Sequence, residues 1–357
     1  MRHPTTPARR LLRSLLLVTA ALLFINACSS NDSVYTGHFE AFGGQVDVTI
    51  VGVPVADARQ AVETVRQDFA YMERAWDPDG SGALARANGL LTTGAPFSAP
   101  PSILPLIDRG RTLALLADGL LNPAFGKVRA LWKFENDTGE GFRPPDGAAV
   151  DDLLRMEPSL QHISVNGFRL RSSNEAVALD FSEFAEGYAV DQAVLRLLEL
   201  GIDDAMVNVG GNLRAIGSRA GHPWRVPIRR DDGTGVLATL DIQGDESIIT
   251  VGTFEKYGDF EGRRYHDILD PRTGWPAEGV RAVTVVHRDA TTAHAAATAL
   301  FVAGRERWPE LAAAMGVDQI MVSDAQGTLH LSPRLEPRLR FMGGKTEIRI
   351  IGEMDGR

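Results

Sequence analysis

The stretch 180–191 combines acidic side chains with the predicted start of a helix, and it is one of four stretches whose residues suit a ligand site. The first turn of a helix presents unpaired backbone N–H groups and the positive end of the helix dipole, which together favour a phosphate. Asp180 and Glu183 lie near this turn, where their carboxylates could bind a hard cation such as Mg²⁺. Capping of the helix is the alternative role for both acids.

The second stretch, 207–214, contains the paired glycines Gly210 and Gly211. Adjacent glycines allow a backbone to approach a ligand closely, and they equally allow a tight hairpin turn. The spacing G-x-G-x-x-G is absent here, so the stretch does not indicate a Rossmann-type dinucleotide site.

The third and fourth stretches contain histidines. His266 or Asp267 could serve as a general base, because each can accept a proton. A histidine that only makes structural hydrogen bonds is the alternative. His294 and Thr298 lie four residues apart and therefore share one face of a predicted helix. The alanines around them leave room for a ligand, although a tightly packed core helix would show the same pattern.

The elements that must position these residues mix helices and strands without a regular βαβ repeat. This mixture predicts an α+β fold with layered mixed or antiparallel sheets and flanking helices. Apolar periodicity predicts helices over 55–74, 102–119, 184–200 and 291–302, and strands over 36–51, 162–165, 168–171, 176–179, 205–209 and 212–216.

The N-terminus predicts export. In residues 1–28, a basic segment precedes the apolar run 15–25, which is shorter than the about 20 residues that a membrane-crossing helix needs. The run ends at Ile25-Asn26-Ala27-Cys28, which resembles a lipobox with an acylated cysteine. We therefore expect a periplasm-facing lipoprotein, anchored to a bacterial membrane through Cys28. An ordinary signal peptide with a chance cysteine is the alternative.

Composition excludes several classes of function. Apolar residues make up 44% of the 357 residues and charged residues 23%, which indicates a folded chain. The net charge of −9 argues against nucleic-acid binding through phosphate contacts. The single cysteine can form neither an internal disulfide nor a cysteine-rich metal site.

Taken in order, the four stretches resemble signatures of the FAD:protein FMN transferase family, also called the thiamine-biosynthesis lipoprotein family. Residues 72–88 and 118–132 are similar to two further signatures, so the resemblance covers about 36–335. It implies a cleft between two subregions of one fold. We accordingly assign 1–28 to a signal peptide, 29–35 to a tether, 36–335 to the transferase domain and 336–357 to a C-terminal extension.

The resemblance also implies a reaction. FAD lies in the cleft with Mg²⁺ on its diphosphate, and a base activates the hydroxyl of a threonine or serine in an acceptor flavoprotein. The hydroxyl attacks the FMN phosphorus, and AMP leaves.

The resemblance assigns roles to individual residues. The residues implied to contact FAD are Trp76, Leu120, Leu121, Asn122, Asp180, Glu186 and Ile268. The implied metal-site residues are Glu183, His294 and Thr298. Asp267 stands where the family usually has a catalytic histidine, so Asp267, or its neighbour His266, is the expected base.

Several of these positions depart from the family pattern. His294 stands where the family has a metal-binding aspartate, and imidazole favours transition metals, so Mn²⁺ or another divalent metal could replace Mg²⁺. Glu186 stands where the family usually has lysine, which makes the site more acidic. These departures keep two alternatives open: a catalytically degenerate paralog that binds a flavin nucleotide or a partner protein, and an FAD pyrophosphatase that yields FMN and AMP.

Overall fold

The computed structural model describes residues 33–134, 141–232, 234–242, 244–343 and 347–351. The predicted export signal and Cys28 lie outside the described residues. Within these ranges, no helix combines the length and the apolar character that crossing a membrane would require.

The described helices and strands follow one another without a regular βαβ repeat. The helices are α1 (Val55–Trp76), α2 (Ala83–Leu91), α3 (Leu104–Leu116), α4 (Gly126–Trp132), α5 (Gly147–Leu154), α6 (Ala185–Glu199), α7 (Ala290–Ala303) and α8 (Trp308–Met315). The strands are β1 (Val34–Ala41), β2 (Gly44–Val51), β3 (Phe97–Ser98), β4 (Ile163–Asn166), β5 (Arg169–Ser172), β6 (Ala205–Val209), β7 (Asn212–Ile216), β8 (Trp224–Arg229), β9 (Val236–Ile242), β10 (Glu246–Gly252), β11 (Tyr257–Phe260), β12 (Arg263–His266), β13 (Val280–His287), β14 (Ile320–Asp324), β15 (Leu329–Leu331), β16 (Arg340–Phe341) and β17 (Ile348–Ile350).

A nine-stranded sheet organises the fold, with the strand order β1-β2-β6-β7-β10-β13-β14-β15-β17. Neighbouring strands in it run antiparallel, except that β15 and β17 are parallel. Smaller sheets pair β11 with β12, β8 and β16 with β9, and β3 and β4 with β5. The predicted α+β fold with a mixed sheet is therefore confirmed.

The large sheet is covered on both faces, as adjacent residues of β10 show. Ile248 packs in a cluster with Trp224 of β8, whereas Ile249 packs in the main core with residues of α6 and α7. Successive strand residues point to opposite faces, so the helices cover one face and the small sheet of β8 and β9 covers the other. Helix α7 is buried along its whole length, which explains its nearly uniform apolar sequence.

A separate aromatic cluster fixes α4 against the loop that follows β12. The indole of Trp132 stacks on Phe134 at 5.4 Å and meets Trp275 edge-on at 5.0 Å. Its Nε1 donates a hydrogen bond of 2.9 Å to the carbonyl oxygen of Gly274. This cluster fixes the position of two charged residues of the candidate site described below, Arg129 in α4 and Asp267 in the loop.

The predicted helices 55–74, 184–200 and 291–302 agree with α1, α6 and α7 to within two residues at each end. The predicted strand 36–51 is a hairpin instead, turning where Phe42 and Gly43 adopt φ of 55° and 73°. The predicted strand 176–179 is wrong, because the segment forms only an isolated bridge between Ala178 and Phe125.

Part of the predicted C-terminal extension joins the sheets. Strand β16 pairs with β9, and β17 pairs with β15. The described residues of the extension thus pack with the domain that precedes them.

Candidate functional site

The residues before α6 are fixed by hydrogen bonds to the segment before α4. The backbone N–H of Asp180 donates to the carbonyl oxygen of Pro123 at 2.9 Å, and that of Gly126 donates to Ala178 at 2.9 Å. The N–H of Asn122 donates to the Glu183 carboxylate at 3.0 Å. These contacts hold Asp180 and Glu183 at the start of α6, as the sequence predicted.

The turn at 120–122 uses its side chains for packing and local bonds. Leu120 and Leu121 are fully buried in the main core. The Asn122 amide donates to Pro158 at 2.8 Å, and its side-chain oxygen accepts from the N–H of Ala124 at 3.1 Å. A contact from these three predicted FAD-binding residues would therefore come from their backbone.

Arg129 of α4 joins two of the predicted acids. Its Nε lies 3.2 Å from a carboxylate oxygen of Asp180, and one terminal nitrogen lies 3.6 Å from a carboxylate oxygen of Asp267. Another terminal nitrogen donates to the backbone carbonyl of Asp267 at 3.0 Å. Residues separated by more than 80 positions in the sequence therefore meet around one guanidinium.

Glu183 is the acid whose protonation the surroundings change most clearly in this cluster. Burial raises the pKa of its carboxyl to about 7, and the negative charges of Asp180 and Asp267 add to the rise. The positive charge of Arg129 and the N–H of Asn122 oppose it. Glu183 consequently changes charge near neutral pH.

Two oxygen atoms in the site suit a hard cation. The hydroxyl of Thr298 lies 3.4 Å from the backbone carbonyl oxygen of Glu183 and donates a hydrogen bond to it. Both are the type of oxygen ligand that Mg²⁺ accepts. No group of three His, Cys, Asp or Glu side chains in the described ranges is arranged to hold a metal ion.

His294, the third predicted metal ligand, is arranged differently. Its Nδ1 accepts a hydrogen bond of 3.3 Å from the backbone N–H of Gly187. Burial lowers the pKa of its ring to about 4, so the ring is neutral at pH 7 and carries its proton on Nε2. Neither nitrogen then offers a lone pair to a metal, so this arrangement argues against His294 as a ligand.

The two predicted bases, His266 and Asp267, differ in whether their side chains are free to accept a proton. The Nε2 of His266 donates to the carbonyl of Ala277 at 2.9 Å, and its Nδ1 accepts from the N–H of Ile268 at 3.3 Å. Both ring nitrogens are occupied, and burial lowers the pKa of the ring. The geometry therefore favours Asp267, whose side chain is 21% exposed, as the base.

Trp76 lies in an aromatic group at the end of α1. Its ring stacks on Phe42 at 6.2 Å and meets Tyr188 of α6 edge-on at 5.7 Å. Its Nε1 donates to the carbonyl of Ser102 at 3.1 Å. Tyr188 lies one turn after Ala185, the first residue of α6, so this aromatic group is attached to the end of α6 near the acids.

Further acids surround the start of α6. Glu186 accepts a hydrogen bond of 3.2 Å from the amide of Asn212, which begins β7. Desolvation raises the pKa of the Glu255 carboxyl to about 8, and the negative charges of Glu186 and Asp267 add to the rise.

The sequence patterns pointed to the acids but not to Arg129, the positively charged residue between two of them. Arg129, Asn212 and Glu255 were not selected, although Asn212 lies in a selected stretch. No local pattern pointed to Arg129, because it lies in the short helix 126–132, whose one or two turns contain little periodicity. The roles of all these residues in binding and catalysis stay predictions.

Comparisons with known proteins agree on one family. A family model described as the ApbE family matches residues 42–321. The FAD:protein FMN transferase of Rhodobacter capsulatus is 36% identical over 310 residues, which cover 86% of this chain and 58% of that protein. The FAD:protein FMN transferase of Treponema pallidum is 30% identical over 71% of this chain and 74% of its own length. The chain thus spans less than two thirds of the Rhodobacter relative.

Solved structures share the fold. The ApbE protein of Thermotoga maritima aligns with a TM-score of 0.78 and 24% identity, covering 86% of this chain and all of that one. The flavin transferase ApbE of Vibrio cholerae aligns with a TM-score of 0.72 and 25% identity, covering 87% of this chain and 100% of its own.

Proposed function

Because this chain belongs to the ApbE family, we propose that it transfers FMN from FAD to a threonine or serine hydroxyl of an acceptor flavoprotein and releases AMP. One observation carries the proposal: three predicted site segments, distant in sequence, meet at the start of α6. Arg129 contacts both Asp180 and Asp267, and Glu183 contacts Thr298.

In the proposed reaction, Asp267 acts as the general base. Its carboxylate accepts the proton of the acceptor hydroxyl, and the hydroxyl oxygen forms a bond to the FMN phosphorus. The bond between that phosphorus and the bridging oxygen of the diphosphate breaks, and AMP leaves with the electron pair. A carboxylate is a weak base at neutral pH, so the reaction depends on accurate orientation of the hydroxyl.

We propose that a divalent cation assists the transfer. The Glu183 carbonyl and the Thr298 hydroxyl would hold it, with diphosphate oxygens of FAD as further ligands. When bound, such a cation neutralises charge on the diphosphate and stabilises the leaving AMP.

The protein is proposed to work outside the cytoplasm. The lipobox-like sequence ending at Cys28 supports export and attachment to a membrane, where an exposed acceptor domain would be within reach.

The function can be tested with the chain lacking residues 1–28, FAD, Mg²⁺ or Mn²⁺, and an acceptor domain with a threonine site. Intact-mass spectrometry should show an added FMN group on the acceptor that requires both FAD and metal. Free FMN and AMP without labelled acceptor would instead identify a pyrophosphatase. FAD binding without either product would identify a degenerate paralog, and the transferase proposal would fail in both cases.

A further inference from the structure

We propose that Arg129 is a positioning residue for the transfer reaction, which orients the Asp267 carboxylate and ties it to Asp180 at the start of α6. The inference rests on the proposed function, because it concerns the geometry of the proposed base. It adds to the site a residue that acts on the chemistry through another side chain.

The contacts of Arg129 support this role. The guanidinium reaches the carbonyl of Asp267 at 3.0 Å and the carboxylate of the same residue at 3.6 Å. A planar guanidinium has donors in a fixed fork, so two contacts to one residue restrict both its backbone and its side chain. The third contact, to Asp180 at 3.2 Å, fixes the guanidinium itself.

The surroundings make these contacts strong. The side chains of Arg129, Asp180 and Asp267 are 17%, 10% and 21% exposed. Charges removed from water to this extent are poorly screened, so their attraction exceeds that of surface ion pairs.

The helix that contains Arg129 is held firmly against the loop that contains Asp267. One turn later in α4, Trp132 donates to the carbonyl of Gly274, which belongs to the loop that contains Asp267. Helix and loop are thus joined twice, once through the Trp132 indole and once through the Arg129 guanidinium. This double attachment allows Arg129 to determine the direction of the Asp267 carboxylate.

A direct role for Arg129 in binding the FAD diphosphate is the competing explanation, and kinetics separate the two. A positioning residue affects mainly kcat, whereas a substrate-binding residue affects mainly KM for FAD. A residue that acts only through Asp267 also has no effect once Asp267 is inactive.

The test is a double-mutant cycle of Arg129→Gln, Asp267→Asn and the combined variant, assayed by FMN transfer with varied FAD. We expect Arg129→Gln to lower kcat by about 100-fold, because a misplacement of about 1 Å has this effect, with little change in KM. In the Asp267→Asn background the same substitution should change kcat less than about twofold. Arg129→Lys, which keeps the charge but loses the fork, should restore only part of the rate.

Arg338→Gln is the matched control, because Arg338 is 15% exposed and pairs with Glu246 at 2.7 Å outside the candidate site. It should lower stability and leave kcat unchanged. The positioning role would be overturned if the double variant lost kcat by the product of the two single losses, or if Arg129→Gln raised only the KM for FAD. In either case, transfer by the wild type would still support the proposed function. If Arg129→Gln does not fold, the cycle with Arg129→Lys decides by the same criteria. Absence of transfer by the wild type would reject the proposed function and this inference with it.

Discussion

The adjacent residues His266 and Asp267 make different contacts, and only Asp267 keeps a side chain that is free to accept a proton. His266 uses both ring nitrogens in hydrogen bonds to the backbone, whereas Asp267 faces Arg129 and keeps part of its side chain exposed. The sequence identified the pair but left the choice open, because the choice depends on Ala277, which lies on a later segment. Arg129 escaped notice for the same reason, since only the folded chain brings it to Asp180 and Asp267.

The first prediction separates these two residues. Asp267→Asn removes the proton acceptor while keeping the shape, so FMN transfer should fall by about 10²–10⁴-fold with FAD binding retained. His266→Gln should instead lower the free energy of unfolding by about 1–3 kcal/mol, because buried backbone groups lose their partner. Transfer rates by intact mass and unfolding by urea measure the two effects. A larger loss of kcat in a folded His266→Gln protein would make His266 the base.

A second prediction concerns pH and His294. Burial lowers the pKa of this ring from 6.5 to about 4, so below pH 6.5 the unfolded chain binds a proton that the folded chain excludes. The stability associated with neutral His294 is fully present above pH 6.5 and is lost as the pH falls towards 4. The loss amounts to about 3 kcal/mol, at about 1.4 kcal/mol per pH unit.

Glu183 changes the free energy of unfolding with pH in the opposite direction to His294. Its carboxyl must therefore be replaced before the contribution of His294 can be measured. Its pKa is raised from 4.5 to about 7, so it favours the folded state at low pH and this contribution is lost as the pH rises through 7. Urea unfolding between pH 4 and 8 of Glu183→Gln, with and without His294→Gln, should isolate the His294 effect as the difference between the two curves. Adding His294→Gln should make the curve less steep by this amount, and two curves of equal steepness would contradict the assignment.

At the scale of elements, the site depends on how closely α6 approaches α7. A Cβ atom built on Gly187 would lie 2.4 Å from the carbonyl oxygen of Ala290 and 3.0 Å from the Cβ of His294. Asp191, one turn later, accepts the N–H groups of Ala290 and Thr291 at 3.0 and 2.8 Å and so caps α7. Together these contacts set where Thr298 stands relative to the Glu183 carbonyl.

Gly187→Ala therefore gives the third prediction. The added methyl group forces the helices apart, which should cost about 1–3 kcal/mol of stability and weaken Mn²⁺ binding at the Glu183–Thr298 oxygens. Gly89→Ala in α2 is the control, because nothing lies within 4 Å of the added Cβ. It should raise stability by about 0.5–1 kcal/mol. Urea unfolding and Mn²⁺ titration by electron paramagnetic resonance measure both, and equal effects of the two substitutions would refute the close contact.

The accuracy of the predicted elements follows from their length. Helix α1 repeats its apolar pattern over several turns, and α7 is a long, nearly uniform apolar run that ends at Gly304, so the bounds of both were predictable. The short helices α4 and α5 were missed because one or two turns contain little periodicity. The segment 176–179 is a short apolar run, as in a buried strand. However, the carbonyl of Ala178 accepts from Gly126, and both backbone groups of Leu179 bond to the Asn88 side chain, partners that local pattern does not reveal.

At the scale of the whole molecule, the negative charge of the protein opposes binding of the anionic FAD diphosphate. The net charge is −9, and Glu186 and Glu255 add carboxylates near the proposed FAD site. An anionic diphosphate would be repelled by these groups unless a cation is bound or some of them are protonated. The sequence predicted this acidity from residue types, but not that burial would shift the titration of Glu183 towards neutral pH.

The fourth prediction uses this balance. With EDTA present, FAD should bind more tightly at pH 6 than at pH 9, because the carboxyls of Glu183 and Glu255, with pKa values of about 7 and 8, gain protons as the pH falls. With Mg²⁺ present, the dependence should become weaker, since the cation supplies the missing positive charge. Fluorescence titration of FAD measures both series. FAD affinity that is independent of pH in EDTA would show that these acids do not face the diphosphate.

The last prediction concerns attachment to the membrane. Because the apolar run 15–25 ends at the lipobox-like Ile25-Asn26-Ala27-Cys28, attachment of this protein is proposed to depend on acyl chains at Cys28. Each buried CH₂ group of an acyl chain contributes about 0.8 kcal/mol to the free energy of membrane binding, so several chains anchor a domain stably. A protein without acyl chains would lack this anchor.

Cys28→Ser should therefore move the protein from the membrane fraction to the soluble periplasmic fraction and abolish incorporation of labelled palmitate. The isolated domain should keep its rate of FMN transfer to a soluble acceptor, because Cys28 precedes the proposed domain by a tether. Transfer to a membrane-bound acceptor should fall, since anchoring raises the effective concentration of one partner at the other. Retention of Cys28→Ser in the membrane fraction would mean that a docking surface or the apolar run 15–25 holds the protein there, and the lipoprotein assignment would be wrong.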